Sequence, residues 1–188
     1  MKIYILRHEE RYDCPKFYTQ LTSIGLKNSE LLKGILDKEN INLIFSSPFP
    51  RVLQTIKPYC DFKNMNQSVC IDYSLYETMY DPCFTSAEYP ITLNKNDKEY
   101  YLMDPNYNST IPLNNITCPE SERNVETRIT IFVTQLIEKY KNTNINILLA
   151  SHASTLAPLV TNLTNTLYPL GGITKIYDNK KLCQPINY

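Results

Sequence analysis

Residues 2–13, KIYILRHEERYD, change character within a few positions. The continuous apolar run predicts a short buried strand, and a charged cluster that opens with Arg7 and His8 follows at once. The second of the chain's two histidines has a similar setting, because in INILLASHASTL (145–156) an apolar run ends just before His152. Two histidines at two strand ends predict a site at one edge of a sheet.

Strand and helix patterns alternate along the rest of the chain. Apolar runs predict buried strands at residues 2–6, 41–47, 145–151 and within 68–77. Helical spacing predicts amphipathic helices at 21–40 (with Leu26, Leu31, Leu32, Ile35 and Leu36), after Pro50, at 121–141 and at 154–167. This pattern indicates an α/β three-layer sandwich, with a mostly parallel central sheet covered by helices on both faces. Residues 173–186 predict a C-terminal hairpin around Asp178 and Asn179 at an edge of that sheet.

Residues 78–118 interrupt this alternation. They are rich in Tyr, Pro and Asn and lack clear periodicity. Long irregular segments in compact domains tend to be functional loops, so we expect an inserted lid or cap over a site. The alternative is a disordered insertion, which the many aromatic residues disfavour. We expect a single domain over residues 1–188.

Composition narrows the class of protein. The 188 residues contain 19 Lys and Arg against 19 Asp and Glu, and this balance disfavours a nucleic-acid partner. The first apolar run is too short for a secretory signal and no apolar stretch approaches membrane-spanning length, so we expect a cytoplasmic protein with no membrane partner. The six cysteines are scattered without a C-x-x-C pair, so we expect reduced thiols and no metal site. Nothing in the composition indicates the oligomeric state.

Charged side chains follow each of the four predicted parallel strands. Arg7 and His8 follow the first, Arg51 the second, Glu77 the third and His152 the fourth. Ligands collect at the carboxyl ends of strands in open parallel sheets, so these side chains are expected to share one crevice. Taken singly, each has an ordinary alternative, such as a surface ion pair between an arginine and a neighbouring carboxylate or a hydrogen-bonded core histidine.

Together these residue types fit phosphoryl transfer. Arginine presents planar donors that match phosphate oxygens. Neutral imidazole is a nucleophile near physiological pH, and a carboxylic acid can protonate a leaving oxygen. The set points to a phosphohistidine intermediate without a metal or another cofactor, because the arginines supply the positive charge.

Three motifs resemble the histidine phosphatase superfamily, also called phosphoglycerate mutase-like. They are L-R-H at 6–8, SSPFPRVLQT at 46–55 and S-H at 151–152, and LTSIG at 21–25 resembles the family's L-T-x-x-G. RHEERYD and SHASTL are also similar to the suppressor-of-T-cell-receptor-signalling phosphatases. The likeness covers their catalytic domain only.

The resemblance implies a role for each site residue. His8 would be the nucleophile, and Arg7, Arg51 and His152 would hold the phosphoryl oxygens. Glu77 would be the proton donor, with the lid carboxylates Asp81 and Glu88 as its competitors. The narrower likeness adds Arg11 as a phosphate ligand.

One position departs from the family pattern. Glu9 stands where a glycine or another small residue usually follows the nucleophile. Its carboxylate would repel phosphate if it pointed into the pocket, or it could point away and pair with a lysine or arginine. We therefore expect a metal-independent phosphomonoester hydrolase, with two alternatives: a phosphoglycerate-mutase-type phosphotransferase, or a catalytically weak module that binds phosphate or protein. The expected substrate is a phosphorylated small molecule or a phosphotyrosine-type ester.

Overall fold

The strands β1 (Lys2–Arg7) and β4 (Asn146–Ser151) lie side by side and parallel in the middle of one sheet. The computed structural model describes residues 1–65, 68–80, 84–85, 88–160, 171–178 and 181–182. The remaining strands there are β2 (Leu43–Ser46), β3 (Val69–Ile71), β5 (Ile173–Asp178) and β6 (Lys181–Leu182).

The strand order is β3-β2-β4-β1-β5-β6. The first four strands of that order are parallel to one another, and the β5–β6 hairpin joins β1 in the antiparallel sense. The predicted mostly parallel sheet with a hairpin at its edge is therefore confirmed. The turn residues of the hairpin, 179–180, lie outside the described residues.

The described part of the chain contains five α-helices. They are α1 (Ser23–Lys38), α2 (Pro50–Phe62), α3 (Lys95–Tyr100), α4 (Glu122–Tyr140) and α5 (Ala153–Leu156). Alternate residues of β1 face opposite layers: Tyr4 and Leu6 join the core under α1 and α2, whereas Ile3 and Ile5 join the core under α4. The two cores confirm the three-layer sandwich, since strands buried on both faces read as continuous apolar runs.

Helix α1 buries a narrower face than its spacing suggested. Leu32 and Leu36 lie in the core, but Leu26 and Leu31 are 46% and 68% exposed. Helical spacing identified five apolar positions but did not show which of them faced the sheet. The helix predicted at 154–167 is also shorter where described: α5 is followed by a 3-10 turn at Ala157–Leu159, and residues 161–170 lie outside the described part.

The irregular segment packs closely against the rest of the chain where it is described. Tyr89, Leu93, Tyr101 and Ile116 are buried in the core under α1 and α2. The backbone of this segment also pairs with Val69, which accepts from Asp104 N–H at 2.9 Å, and so it covers the outer edge of β3. This packing argues against the disordered alternative, and a lid function stays a prediction.

Within the described part of the chain, none of the helices combines the length and the apolar character needed to cross a membrane.

Candidate active site

The two histidines emerge at the same edge of the sheet. β1 and β4 end in register, with Arg7 opposite Ser151. The backbone N–H of His8 donates to the carbonyl of Ser151 at 3.0 Å. The ring centroids of His8 and His152 are consequently 5.2 Å apart, with the ring planes inclined at 65°.

Backbone contacts fix the tautomer of His8. Its Nδ1 lies 2.7 Å from the carbonyl oxygen of Glu9. A carbonyl only accepts, so Nδ1 carries the hydrogen and the lone pair is left on Nε2. Burial, the neighbouring His152 and Arg51 hold the pKa of His8 well below its usual value. His8 is thus a neutral imidazole with a free Nε2 at physiological pH.

Arg51 lies in the first turn of α2, directly after the strand-end segment SSPFP. Its side chain is fully buried. Nη1 donates to the carbonyl of Lys16 at 3.0 Å, Nη2 donates to Oε2 of Glu77 at 3.1 Å, and the guanidinium carbon lies 4.4 Å from the ring centre of Phe49. These contacts hold the planar guanidinium in one orientation.

The carboxylate of Glu77 bridges the other side chains. Oε2 lies 2.9 Å from Nδ1 of His152 as well as 3.1 Å from Arg51. Oε1 accepts from Ser154 Oγ at 2.8 Å and from the N–H of Thr78 at 3.1 Å. Burial by itself would raise the pKa of Glu77, but the interactions with His152 and Arg51 outweigh it and hold the pKa well below the usual range. The carboxylate is therefore ionised in the free protein.

His152 is buried between Glu77 and Ser47. Its Nε2 lies 2.9 Å from Ser47 Oγ, while Nδ1 faces the carboxylate of Glu77. Burial lowers the pKa of His152 to about 4, although Glu77 acts in the opposite direction. The 2.9 Å approach of Nδ1 to Oε2 of Glu77 is an electrostatic contact without hydrogen-bond alignment, while Nε2 of a neutral His152 accepts from the hydroxyl of Ser47.

Two further arginines add positive charge at this edge. Arg7 ends β1, and Arg11 donates from Nη1 to the carbonyl of Tyr12 at 2.8 Å. Burial lowers the pKa of Arg7 and of Arg51, and the charge of Arg11 lowers both further, yet arginine keeps its charge in proteins. Three coupled guanidinium groups at one sheet edge favour an anionic ligand.

Glu9 is directed away from this cluster. Its Oε2 accepts from Asn28 Nδ2 of α1 at 3.3 Å. Its Oε1 fills the space beside Gly171, where an added Cβ would approach this oxygen to 1.8 Å. The backbone N–H of Glu9 is held by Thr55 Oγ1 at 3.0 Å. The Glu9 side chain thus points away from the cluster, as the second of the two alternatives predicted. Its described contacts are to an amide and a glycine, however, and not to a lysine or arginine.

One group of described residues could offer ligands to a metal ion. Ligand atoms of His8, Glu77 and His152 lie within 4.8 Å of one another, a two-histidine, one-carboxylate set. Arg51 already donates to the same Glu77 oxygen, and its positive charge opposes a cation there. The donor set therefore fits an anion better than a metal ion.

Several supporting residues were missed by the sequence interpretation. Ser47 and Ser154 lie inside the quoted SSP and SHAST motifs, and that placement was the only signal for them. The ion pair between Arg128 and Glu120 had no signal in the sequence. Nε and Nη2 of Arg128 donate to the two Glu120 oxygens at 2.8 and 2.9 Å, and Nη1 donates to the carbonyl of Ser74 at 2.6 Å. Nη2 also reaches the backbone carbonyl of Glu77, at 3.5 Å.

Comparison with known families gives one match over most of the chain. Residues 4–183 match the family model described as histidine phosphatase superfamily (branch 1). A search of curated proteins finds no match.

Solved structures share the fold at low sequence identity. The ecdysone phosphate phosphatase from Bombix mori has a TM-score of 0.70 at 13% identity, over 98% of this chain and 92% of that one. A mycobacterial glucosyl-3-phosphoglycerate phosphatase has a TM-score of 0.63 at 17% identity, over 94% and 89% of the two chains. The phosphoserine phosphatase from Entamoeba histolytica has a TM-score of 0.62 at 17% identity, over 99% and 94%.

Proposed function

Because this chain belongs to the histidine phosphatase superfamily, we propose that it is a phosphomonoester hydrolase with His8 as nucleophile. The observation that carries the proposal is the hydrogen bond between Nδ1 of His8 and the carbonyl of Glu9, which leaves Nε2 unprotonated beside the cationic cluster. The same hydrogen bond resists rotation of the ring, so the lone pair keeps its direction.

In the first step Nε2 of His8 attacks phosphorus in line. The P–N bond forms as the bond to the ester oxygen breaks, and the leaving oxygen takes a proton from Glu77. Arg7, Arg11, Arg51 and His152 hold the equatorial oxygens. Positioning and electrostatic stabilisation supply most of the acceleration in phosphoryl transfer.

In the second step Glu77, now a carboxylate, accepts a proton from water. The resulting hydroxide equivalent attacks the phosphohistidine, the P–N bond breaks, and its electron pair returns to Nε2. Phosphate leaves and the neutral imidazole is restored. Carboxyl groups in this role typically contribute about a hundred- to ten-thousandfold to the rate.

The protonation state of Glu77 has to change when substrate binds. In the free protein its low pKa results from Arg51 and His152. A phosphate anion competes for the same two partners and adds negative charge nearby, and both effects raise the pKa of a carboxyl group. Substrate binding therefore prepares the proton donor.

The narrower assignment follows from the RHEERYD and SHASTL motifs. Their likeness to the suppressor-of-T-cell-receptor-signalling branch supports Arg11 as a phosphate ligand, and the effect of Arg11 on the pKa of Arg7 and Arg51 agrees with it. We retain a phosphorylated small molecule or a phosphotyrosine-type ester as substrate, without nucleic acid or membrane, in the cytoplasm. Residues 78–118 act as the lid in this proposal.

Two alternatives are less well supported. The catalytically weak module depended on Glu9 pointing into the pocket, whereas its carboxylate contacts Asn28. A mutase needs basic groups that bind a substrate carboxylate. The lysines of the predicted lid are Lys95 and Lys98, which are distant from Glu77 in sequence.

The deciding experiment is hydrolysis of p-nitrophenyl phosphate in the presence of EDTA. We expect turnover in the wild type and its loss in His8→Ala. Wild-type turnover in His8→Ala would contradict the nucleophile, and dependence on an added divalent ion would contradict metal independence.

A further inference from the structure

A cavity of about 350 Å³ lies beside the proposed proton donor. Its walls include Thr78 and Tyr80 after the donor, Glu122 and Glu126 from the start of α4, and Ser154 from α5. This volume is at the lower end of the range for small-molecule pockets, so the cavity suits a short organic group.

Two residues of the cavity wall also donate hydrogen bonds to the carboxylate of Glu77. Ser154 Oγ and Thr78 N–H both donate to Oε1 of Glu77, at 2.8 and 3.1 Å. The other oxygen, Oε2, faces Arg51 and His152 in the anion site. The cavity therefore adjoins the proposed proton donor on the side of Oε1.

A buried hydroxyl in the cavity wall lacks a partner. Thr78 is 4% exposed, and its Oγ1 has no hydrogen bond to any described residue. Almost all buried polar atoms in folded proteins are hydrogen-bonded, so an orphan hydroxyl in a cavity wall points to a ligand that completes it.

The two charged residues of the described wall are both acidic, and Val125, Ala157 and Pro158 add apolar surface. Glu122 and Glu126 are exposed and lie one helical turn apart on α4, and none of the described lining residues is a lysine or arginine. Tyr80 adds an aromatic ring. Carboxylates and an aromatic ring together attract an ammonium group and repel a carboxylate.

We propose that this cavity holds the alcohol part of the substrate and selects phosphomonoesters of small amino alcohols over phosphorylated carboxylic acids. The inference rests on the proposed hydrolase activity and on Glu77 as its proton donor. The ammonium group lies between Glu122 and Glu126, and the Thr78 hydroxyl accepts a hydrogen bond from it.

The test compares two esters of nearly equal length. Phosphoethanolamine ends in an ammonium group and 2-phosphoglycolate ends in a carboxylate. The ratio of their kcat/KM values is measured for the wild type, the double variant Glu122→Gln with Glu126→Gln, and Glu138→Gln as a control at the other end of α4. p-Nitrophenyl phosphate is the readout of the underlying hydrolase.

We expect the wild type to prefer phosphoethanolamine by at least about tenfold, and the double variant to lose most of that preference. Glu138→Gln should keep the wild-type ratio. Equal kcat/KM values for the two esters, with p-nitrophenyl phosphate hydrolysed, would overturn the substrate class alone. Hydrolysis of none of the three esters would overturn the hydrolase proposal and this inference with it.

Discussion

Nη2 of the buried Arg51 lies 3.1 Å from Oε2 of Glu77. The proposed proton donor is thus ion-paired with a proposed phosphate ligand. A phosphate group must compete with this carboxylate for Arg51, and the competition couples substrate binding to the protonation of Glu77. The first prediction follows from this coupling.

Glu77→Gln should separate binding from turnover. The amide cannot donate the catalytic proton, so kcat should fall by roughly a hundred- to ten-thousandfold. It also carries no charge to compete with phosphate, so the inhibition constant of inorganic phosphate should decrease. Steady-state kinetics with phosphate as inhibitor measures both quantities.

The matched control for this prediction is Glu88→Gln, which changes an exposed carboxylate of the predicted lid segment. It should leave kcat and phosphate inhibition close to the wild-type values. A loss of kcat in Glu88→Gln equal to that in Glu77→Gln would move the proton donor to the lid.

Acidification should destabilise the fold through the buried histidines. The pKa of His152 is about 4 in the folded protein, against about 6.5 in an unfolded chain. As the pH falls from 6.5 to 4, the unfolded chain binds a proton that the folded chain does not, and the free energy of unfolding decreases by on the order of 3 kcal/mol. The lowered pKa of His8 acts in the same direction.

Urea unfolding at pH 7 and pH 4.5 measures this effect. The difference between the two pH values should be smaller in His152→Gln than in the wild type. A wild-type stability that stays constant or rises on acidification would show that the histidines are not held neutral.

The pair Arg128 and Glu120 should stabilise the loop that carries Glu77. Removing one partner, as in Arg128→Leu, leaves a buried charge unpaired and should lower the free energy of unfolding by about 3–5 kcal/mol. Replacing both residues by leucine should be less destabilising than Arg128→Leu alone. Denaturant unfolding of the two variants checks the order, and the reverse order would show that the pair is not desolvated.

Gly25 in the LTSIG motif should be needed for close packing rather than for turn geometry. A Cβ at this position would lie 2.1 Å from the carbonyl oxygen of Glu10, whereas a Cβ at Gly34 of the same helix meets nothing within 4 Å. Gly25→Ala should therefore destabilise the protein by roughly 1–3 kcal/mol. Gly34→Ala should stabilise it by about 0.5–1 kcal/mol through helix propensity. Equal effects in thermal unfolding would contradict the close approach at Gly25.

Much of the sheet that positions the site could be predicted, because the sequence signals for its strands are local. Apolar runs end at Arg7 and at Ser151, and parallel strands bring such ends to one edge. The direction of the Glu9 side chain could not be predicted, since it depends on Asn28 and Gly171, which are distant in sequence. The ion pair of Arg128 could not be predicted either, because a charged residue on an amphipathic helix normally faces water.

The most direct measurement is to trap the covalent intermediate and locate the phosphoryl group. The protein is mixed with p-nitrophenyl phosphate and the reaction is quenched at alkaline pH. The protein is then analysed by mass spectrometry and phosphorus NMR. Nδ1 of His8 is occupied by its hydrogen bond to Glu9, so we expect phosphorylation of His8 at Nε2, absent in His8→Ala. Phosphorylation of Nδ1, of His152 or of a cysteine would contradict this mechanism.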